Sequence, residues 1–172
     1  NVILVDSVSK RYSECGIRIG MMITKNKEVY SACMRLAQAR LSPPLLGQIV
    51  AEASFDAPES YMRANFEEYI SRRDVLVEGL KAIPGVRTPM PNGAFYTMVE
   101  LPVDDSDKFC EWMLSSFEYE GETVMMAPGT GFYTDQEHGR RQVRIAYVLN
   151  KTDLSRALLL LKKGLEAYPG RK

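Results

Sequence analysis

The segment most informative about the fold lies close to the start of the chain. It reads Ser7-Val8-Ser9-Lys10-Arg11-Tyr12-Ser13-Glu14-Cys15-Gly16-Ile17-Arg18-Ile19-Gly20. The apolar run before it, Val-Ile-Leu-Val at residues 2–5, is typical of a buried strand in an α/β sheet. Residues 17–24 predict a second strand. Residues 7–15 therefore form a loop that leaves one strand and leads to the next.

The side chains of this loop could hold a phosphate ester. It carries the amine of Lys10, the hydroxyls of Ser7 and Ser9 and, on the return, the guanidinium of Arg18 between two glycines. An unprotonated amine is a nucleophile toward a carbonyl, and hydroxyls with an arginine suit a phosphate. A carbonyl-bearing phosphate ester could thus be held covalently and ionically. From the residues alone, a solvated surface loop is an equally good interpretation.

Three helices are predicted next. They cover residues 28–40, residues 45–54 and, with Asp56 as its cap, a longer segment that ends at Pro84-Gly85. At about 1.5 Å per residue the long helix would measure roughly 40 Å, more than one lobe of this size needs. We therefore expect it to bridge two lobes, with a boundary near residue 56 that separates residues 1–55 from residues 56–172.

Strands and helices alternate in the rest of the chain, as in an α+β lobe. Strands are predicted at residues 94–101, 123–127 and 143–149. Two helices are predicted, one capped by Asp105 or Ser106 and the last capped by Thr152 or Asp153. Alternation in the last strand places Val143, Ile145, Tyr147 and Leu149 on a face that the final helix covers. Arg144 then lies on the open face. Alternatively, Arg144 pairs with a surface acid.

The composition excludes several classes of function. The chain has 172 residues, with 22 Lys and Arg against 22 Asp and Glu, so a clustered basic surface for nucleic acid is not expected. The single histidine, His138, excludes histidine-rich metal sites and is expected in a solvated loop. Three cysteines without a C-x-x-C pair indicate a reducing, cytoplasmic environment. The longest apolar run, residues 157–161, is too short for a membrane span, and no signal peptide is expected.

The loop at residues 7–20 resembles the lysine signature of the class I and II aminotransferases, the fold type I family that uses pyridoxal 5'-phosphate (PLP). The shared pattern is Ser-x-Ser-Lys followed by Gly-x-Arg-x-Gly. The resemblance implies that Lys10 attaches covalently to PLP and that Ser7 and Arg18 bind its phosphate, with Ser9 in a supporting part. Glu14 departs from the family, which usually has an apolar residue there.

Later segments resemble the same family in the same order. They are Asn92-Gly93-Ala94-Phe95-Tyr96, Ala127-Pro128-Gly129-Thr130-Gly131-Phe132 and Val143-Arg144-Ile145-Ala146. The resemblance implies that Arg144 binds the α-carboxylate of the amino acid. It also implies the edge of a fold type I PLP-binding domain, a bridging helix and a C-terminal α+β small domain. Arg40 is a candidate for substrate recognition or a helix-end arginine, and four other aromatic residues are expected to serve packing: Tyr12, Tyr96, Tyr133 and Trp112.

The implied activity is transfer of an amino group between an amino acid and a 2-oxo acid, with aspartate and 2-oxoglutarate favoured. Because Lys10 lies so near residue 1, we expect this chain to be the C-terminal part of a longer, homodimeric enzyme, inactive alone and a poor binder of PLP. Two alternatives stay open. One is a fold type I lyase or decarboxylase, and the other is a non-catalytic domain for dimerisation or folding.

Overall fold

The computed structural model describes residues 2–172. The contacts within the chain define two units, residues 1–64 and residues 65–172. The division falls inside the longest helix, which spans Glu59–Lys81, downstream of the boundary predicted near residue 56. Each unit is described by itself below.

The first unit contains two strands and three helices, followed by the start of the long helix. In chain order they are β1 (Ile3–Ser7), α1 (Val8–Arg11), β2 (Gly20–Thr24), α2 (Lys27–Ala39), α3 (Leu45–Ala53) and α4 (Glu59–Lys81). Strands β1 and β2 pair antiparallel, with Ile3 opposite Thr24 at one end of the ladder and Ser7 opposite Gly20 at the other. Strand β2 is shorter than predicted because residues 15–17 form a 3₁₀ turn and Arg18 adopts a left-handed conformation.

The predicted burial of the first strand is wrong. Its side chains are exposed, from 49% for Leu4 to 77% for Val5. Among the described residues, β1 pairs only with β2, and this sheet has two strands. A fully buried strand needs neighbours on both edges and a covering layer on both faces, and that apolar run lacks them here.

The helices α2 and α3 confirm the predicted segments on either side of Pro43-Pro44. Asn26 caps α2, because its side-chain oxygen accepts hydrogen bonds from the amides of Glu28 and Val29 at 3.0 and 3.1 Å. The predicted capping of α4 by Asp56 is wrong. Asp56 ends a 3₁₀ turn, Ala57 is extended, as the residue before Pro58 prefers to be, and α4 begins at Glu59.

The second unit contains a three-stranded antiparallel sheet and two further helices. These elements are β3 (Tyr96–Glu100), α5 (Ser106–Ser115), β4 (Ala127–Pro128), β5 (Gln142–Ala146) and α6 (Lys151–Ala167). The strand order is β3-β5-β4, with Met98 and Ala127 on either side of Arg144. Strand β4 is shorter than the strand predicted at residues 123–127, because only Ala127 of that segment, together with Pro128, forms it.

Alternation in β5 confirms the predicted faces for most residues. Val143 and Tyr147 are buried, Ile145 packs against the same core, and Arg144 is exposed on the opposite face. Leu149 is an exception, since it lies beyond the strand and is about half exposed. The core of this unit also contains Leu80, Val99, Leu101, Phe109, Met113, Leu154, Leu161 and Leu165.

Helix caps in the second unit agree with one prediction and correct another. Asp105 caps α5 by accepting hydrogen bonds from the amides of Asp107 and Lys108. Helix α6 is capped by Asn150, whose side-chain oxygen accepts from the amide of Asp153 at 2.9 Å, rather than by Thr152 or Asp153. His138 lies in an exposed 3₁₀ turn, as predicted for a solvated loop.

Two features are absent from residues 2–172. No helix in this part of the chain is long and apolar enough to cross a membrane. No cluster of three or more His, Cys, Asp or Glu side chains in the described residues could hold a metal ion.

Candidate functional site

The β1–β2 ladder brings Ser7, Lys10 and Arg18 into one short structural element. Ser7 is the last residue of β1 and lies opposite Gly20. The amide of Val8 then donates to the carbonyl of Ile19 at 3.3 Å, so the two chains stay together beyond the ladder. Lys10 lies on α1, the single turn that follows, and is exposed. Ser7, Lys10 and Arg18 thus all lie in the segment that connects β1 to β2 or at its ends.

Close approach of the two strands at this end depends on Gly20. A Cβ atom there would lie 3.1 Å from the carbonyl oxygen of Asp6 and 3.4 Å from the Cβ of Ser7. Strand β2 could therefore not approach Ser7 as closely with a larger residue at position 20. This close approach explains why the loop pattern ends in glycine.

Arg18 occupies a backbone conformation that most residues avoid. Its φ is +59°, a left-handed conformation that costs roughly 1–2 kcal/mol for a residue with a Cβ. Its guanidinium Nη1 donates to the carbonyl of Cys15 at 2.9 Å. The side chain is thereby tied to the loop that follows Lys10, and its remaining N–H groups can bind an anion.

The residues of this loop fit a phosphate-bearing carbonyl compound such as PLP. Ser7 occupies the N-cap position of α1, yet its hydroxyl makes no capping hydrogen bond. A hydroxyl and a guanidinium are suitable donors to phosphate oxygens, and the amine of Lys10 is the nucleophile of the set. The chemistry of the donors and their placement in one hairpin agree with the sequence-based expectation, while their individual roles stay predictions.

Contacts from the helices anchor the lysine loop, and sequence reasoning missed them. Glu14 Oε2 accepts a hydrogen bond from Ser54 Oγ at 2.8 Å, and Tyr61 Oη donates to the carbonyl of Tyr12 at 3.3 Å. The ring of Tyr12 also meets Phe55 edge to face. Glu14, the departure from the family pattern, thus has a polar partner of its own. No sequence signal indicates that partner, because Ser54 lies 40 residues further along the chain, at the end of α3.

An ion pair holds the start of the loop. The Arg11 guanidinium binds the carboxylate of Asp6 and lowers the pKa of that carboxyl group, and the amide of Ser7 donates to the same carboxylate at 2.8 Å. Arg11 is exposed and Asp6 is partly exposed, so the pair contributes little to stability. Its effect is local, because it joins Asp6 and Arg11 on either side of Ser7 and Lys10 in the sequence.

Arg144 lies in the second unit, on the open face of the sheet. Its guanidinium carbon is 4.7 Å from the centre of the Phe132 ring and 5.3 Å from the centre of the Tyr96 ring. Tyr96 is 42% exposed, so its ring contacts Arg144 at the surface of the sheet rather than within the core. Within residues 2–172 no acidic side chain forms an ion pair with Arg144. The alternative of a surface ion pair is therefore not observed, and the N–H donors can bind a carboxylate.

A groove of about 470 Å³ lies along β5 and is lined mostly by aliphatic side chains, among them Ile145, Val148 and Leu158. Its lining includes core residues such as Ile145 and Leu161, which lie on the covered face of the sheet. The guanidinium of Arg144 is on the opposite, open face, where the side chain is exposed.

Arg40 follows the last residue of α2 and is exposed. The next residue, Leu41, has a left-handed backbone conformation with a φ of +64°. The structure thus places Ser7, Lys10, Arg18 and Arg40 in the first unit and Arg144 in the second. The role of Arg40 stays a prediction.

Comparison with known proteins identifies the family to which the chain belongs. The family model described as aminotransferase class I and II matches residues 1–159. Over 170 residues the chain is 30% identical to an aspartate aminotransferase of Pyrococcus horikoshii, covering 96% of this chain and 41% of that protein. It is also 30% identical to a valine–pyruvate aminotransferase of Mycobacterium tuberculosis, covering 92% of this chain and 40% of the relative.

A solved structure gives the same result for the fold. The alanine aminotransferase of Pyrococcus furiosus superimposes with a TM-score of 0.83 at 28% identity, covering 97% of this chain and 42% of that one. The chain spans about 40% of the length of the curated relatives it matches. These relatives are named for different amino acids, so their names do not identify one substrate.

Proposed function

The chain belongs to the class I and II aminotransferase family, and we propose that it forms the C-terminal part of a PLP-dependent aminotransferase. In this proposal residues 1–55 complete the PLP-binding domain, and residues 56–172 provide the bridging helix and the small domain. The enzyme transfers an amino group between an amino acid and a 2-oxo acid. Aspartate and 2-oxoglutarate are the favoured pair, in agreement with the name of one relative.

The observation that carries the proposal is the pairing of Ser7 with Gly20 at the end of the β1–β2 ladder. That pairing closes the segment that carries Ser7, Lys10 and Arg18, which supports a shared role for the three residues. Ser7 and Arg18 hold the cofactor's phosphate, and Ser9 supports the turn. When bound, PLP would supply the electron sink that makes a proton on the substrate Cα acidic. Lys10 would hold the cofactor, and its amine would act as the base that moves this proton.

Arg144 orients the substrate in this proposal. Its guanidinium binds the α-carboxylate with two parallel N–H donors, a geometry that a lysine could not reproduce. The exposure of Arg144 on the open face of the sheet and the absence of an ion pair within the described residues support this role.

The whole protein acts as a cytoplasmic homodimer in this proposal. Exposed apolar side chains on β1 and α3, such as Val5, Leu46 and Ile49, support burial of the first unit against further protein. The 172-residue chain alone is expected to bind PLP poorly and to lack transaminase activity.

The test uses borohydride reduction, which fixes PLP on the lysine that holds it. In the whole enzyme, peptide mass mapping should find the phosphopyridoxyl group on Lys10. Lys10→Ala should lose this label and about 10²–10⁴-fold of the transamination rate, the usual contribution of a general base. Lys25→Ala is the matched control, since Lys25 is an exposed lysine directly after the last residue of β2.

Three results would contradict the proposal. Label on another lysine in the whole enzyme would reject Lys10. Release of ammonia or carbon dioxide, instead of a 2-oxo acid, would indicate a lyase or decarboxylase. Transamination by the 172-residue chain alone would reject the expectation that it is inactive.

A further inference from the structure

We propose that Phe132 and Tyr96 form an aromatic clamp that fixes the guanidinium of Arg144 in the orientation that receives a carboxylate. Both are positioning residues, because they act through Arg144. The inference rests on the proposed function for the identity of the ligand, a substrate carboxylate. The contacts themselves are independent of that function.

The sheet register provides one side of the clamp. Met98 lies directly opposite Arg144, and Tyr96 lies opposite Ala146, so Tyr96 and Arg144 are diagonal neighbours on the open face. The distance of 5.3 Å from the guanidinium carbon to the Tyr96 ring centre is typical of a cation–π contact. Tyr96 remains 42% exposed, so its contribution to the buried core does not explain this position.

The turn after β4 provides the other side. Gly129 donates to the carbonyl of Gln142 at 2.7 Å, and Phe132 donates to the carbonyl of Gly129 at 3.0 Å. Thr130 Oγ1 donates to Asp107 Oδ2 at 2.8 Å, which ties the turn to α5. These bonds hold the Phe132 ring 4.7 Å from the guanidinium carbon of Arg144, although the ring is 48% exposed.

Contact with aromatic rings leaves a guanidinium able to bind a carboxylate. Its N–H donors lie in its plane, whereas the attraction to a ring acts through the ring face, so the two interactions do not compete. An arginine held in this way loses less side-chain freedom when the carboxylate arrives. The clamp therefore increases the affinity for the carboxylate without contacting it.

The test begins with nuclear magnetic resonance of the 172-residue chain. The Nε–Hε signal of Arg144, assigned by its loss in Arg144→Lys, should be shifted upfield by the ring currents of the clamp. Phe132→Leu and Tyr96→Leu should each move the signal toward that of the exposed arginines, and the double variant should move it furthest. Phe66→Leu is the matched control, an exposed phenylalanine on α4.

Kinetics of the whole enzyme test the positioning role. Phe132→Leu should raise KM by about tenfold with little change in kcat, in the range of one lost cation–π contact, and Phe132→Tyr should restore KM. An unmoved Arg144 signal, or a moved signal with unchanged KM, would overturn the clamp. An unchanged KM in Arg144→Lys would instead reject Arg144 as the carboxylate receptor, which is a failure of the proposed function.

Discussion

Gly129 lies where the turn after β4 passes two other segments of backbone. A Cβ atom at this position would be 2.6 Å from the carbonyl oxygen of Gln142 and 2.8 Å from that of Gly139. Since backbone atoms cannot move aside as a side-chain tip can, Gly129→Ala should lower the free energy of unfolding by about 1–3 kcal/mol. Urea denaturation followed by circular dichroism measures this loss.

The same turn offers a matched control. Apart from Gly131 itself and its two chain neighbours, no heavy atom would lie within 4 Å of a Cβ atom at this position, so Gly131→Ala should be close to neutral. If both alanine variants cost the same, the loss would reflect glycine flexibility in general rather than contact with Gln142 and Gly139. If neither has an effect, the turn is looser than its hydrogen bonds indicate.

Cys110 is the buried one of the three cysteines. Burial raises the pKa of its thiol to about 12 from 9.0, and the charge of Asp107 acts in the same direction. Because folding raises this pKa, the stabilisation by the neutral thiol is complete below pH 9.0 and decreases as the pH rises towards 12. The difference in free energy of unfolding between the wild type and Cys110→Ala should therefore shrink from about pH 8 to about pH 10.

Urea denaturation at both pH values measures that difference. Tyr168, whose pKa is also raised to about 12, is present in both proteins, so its effect largely cancels. A difference that stays constant or grows with pH would contradict the proposed protonation of Cys110.

At the scale of the elements, α6 is capped two or three residues earlier than predicted, by Asn150 instead of Thr152 or Asp153. Asn150 accepts from the amide of Asp153 and donates to its carboxylate, so it satisfies a helix-end donor that would otherwise lack a partner. Asn150→Ala should destabilise the second unit by about 1 kcal/mol. Thr152→Ala, inside the first turn, should change little. A larger loss in Thr152→Ala would restore the capping predicted from the sequence.

Local patterns predicted the helices well because caps, prolines and apolar spacing act over a few residues. The segments 28–40 and 45–54 agree with α2 and α3 to within one residue at each end. The four strands after β1 were predicted too long, since a strand ends where its partner ends. Strand β4 has two residues because only Ala127 and Pro128 find partners on β5.

The candidate site also combines features local in sequence, which could be predicted, with contacts between elements, which could not. The hydroxyl, amine and guanidinium near Lys10 are close in sequence, so their grouping could be anticipated. The contacts of Glu14 with Ser54 and of Arg144 with Phe132 join residues from different elements, and a single sequence contains no signal for such pairs. Burial of β1 was overestimated because an apolar run indicates a preference for burial, not the presence of covering layers.

At the scale of the whole molecule, the buried residues are distributed unevenly between the two units. In residues 65–172 a continuous core joins helices α4, α5 and α6 to the sheet. In residues 2–64 the buried apolar side chains are Val8 and Ala51, while β1, α2 and α3 expose large apolar residues. Because burial of apolar surface is the main source of stability, the second unit should be the more stable by a wide margin.

Hydrogen exchange followed by mass spectrometry tests this difference on the 172-residue chain. Amides in β3, β5 and α6 should exchange slowly, near the rate set by global unfolding, whereas amides in β1, β2 and α2 should exchange much faster through local opening. Leu80→Ala, which removes a fully buried side chain of the second unit, should speed exchange there through a loss of about 2–5 kcal/mol. Leu46→Ala, at an exposed site on α3, should leave both patterns unchanged. Equal protection of β1 and β5 in the wild type would show that the first unit has a source of stability other than apolar burial.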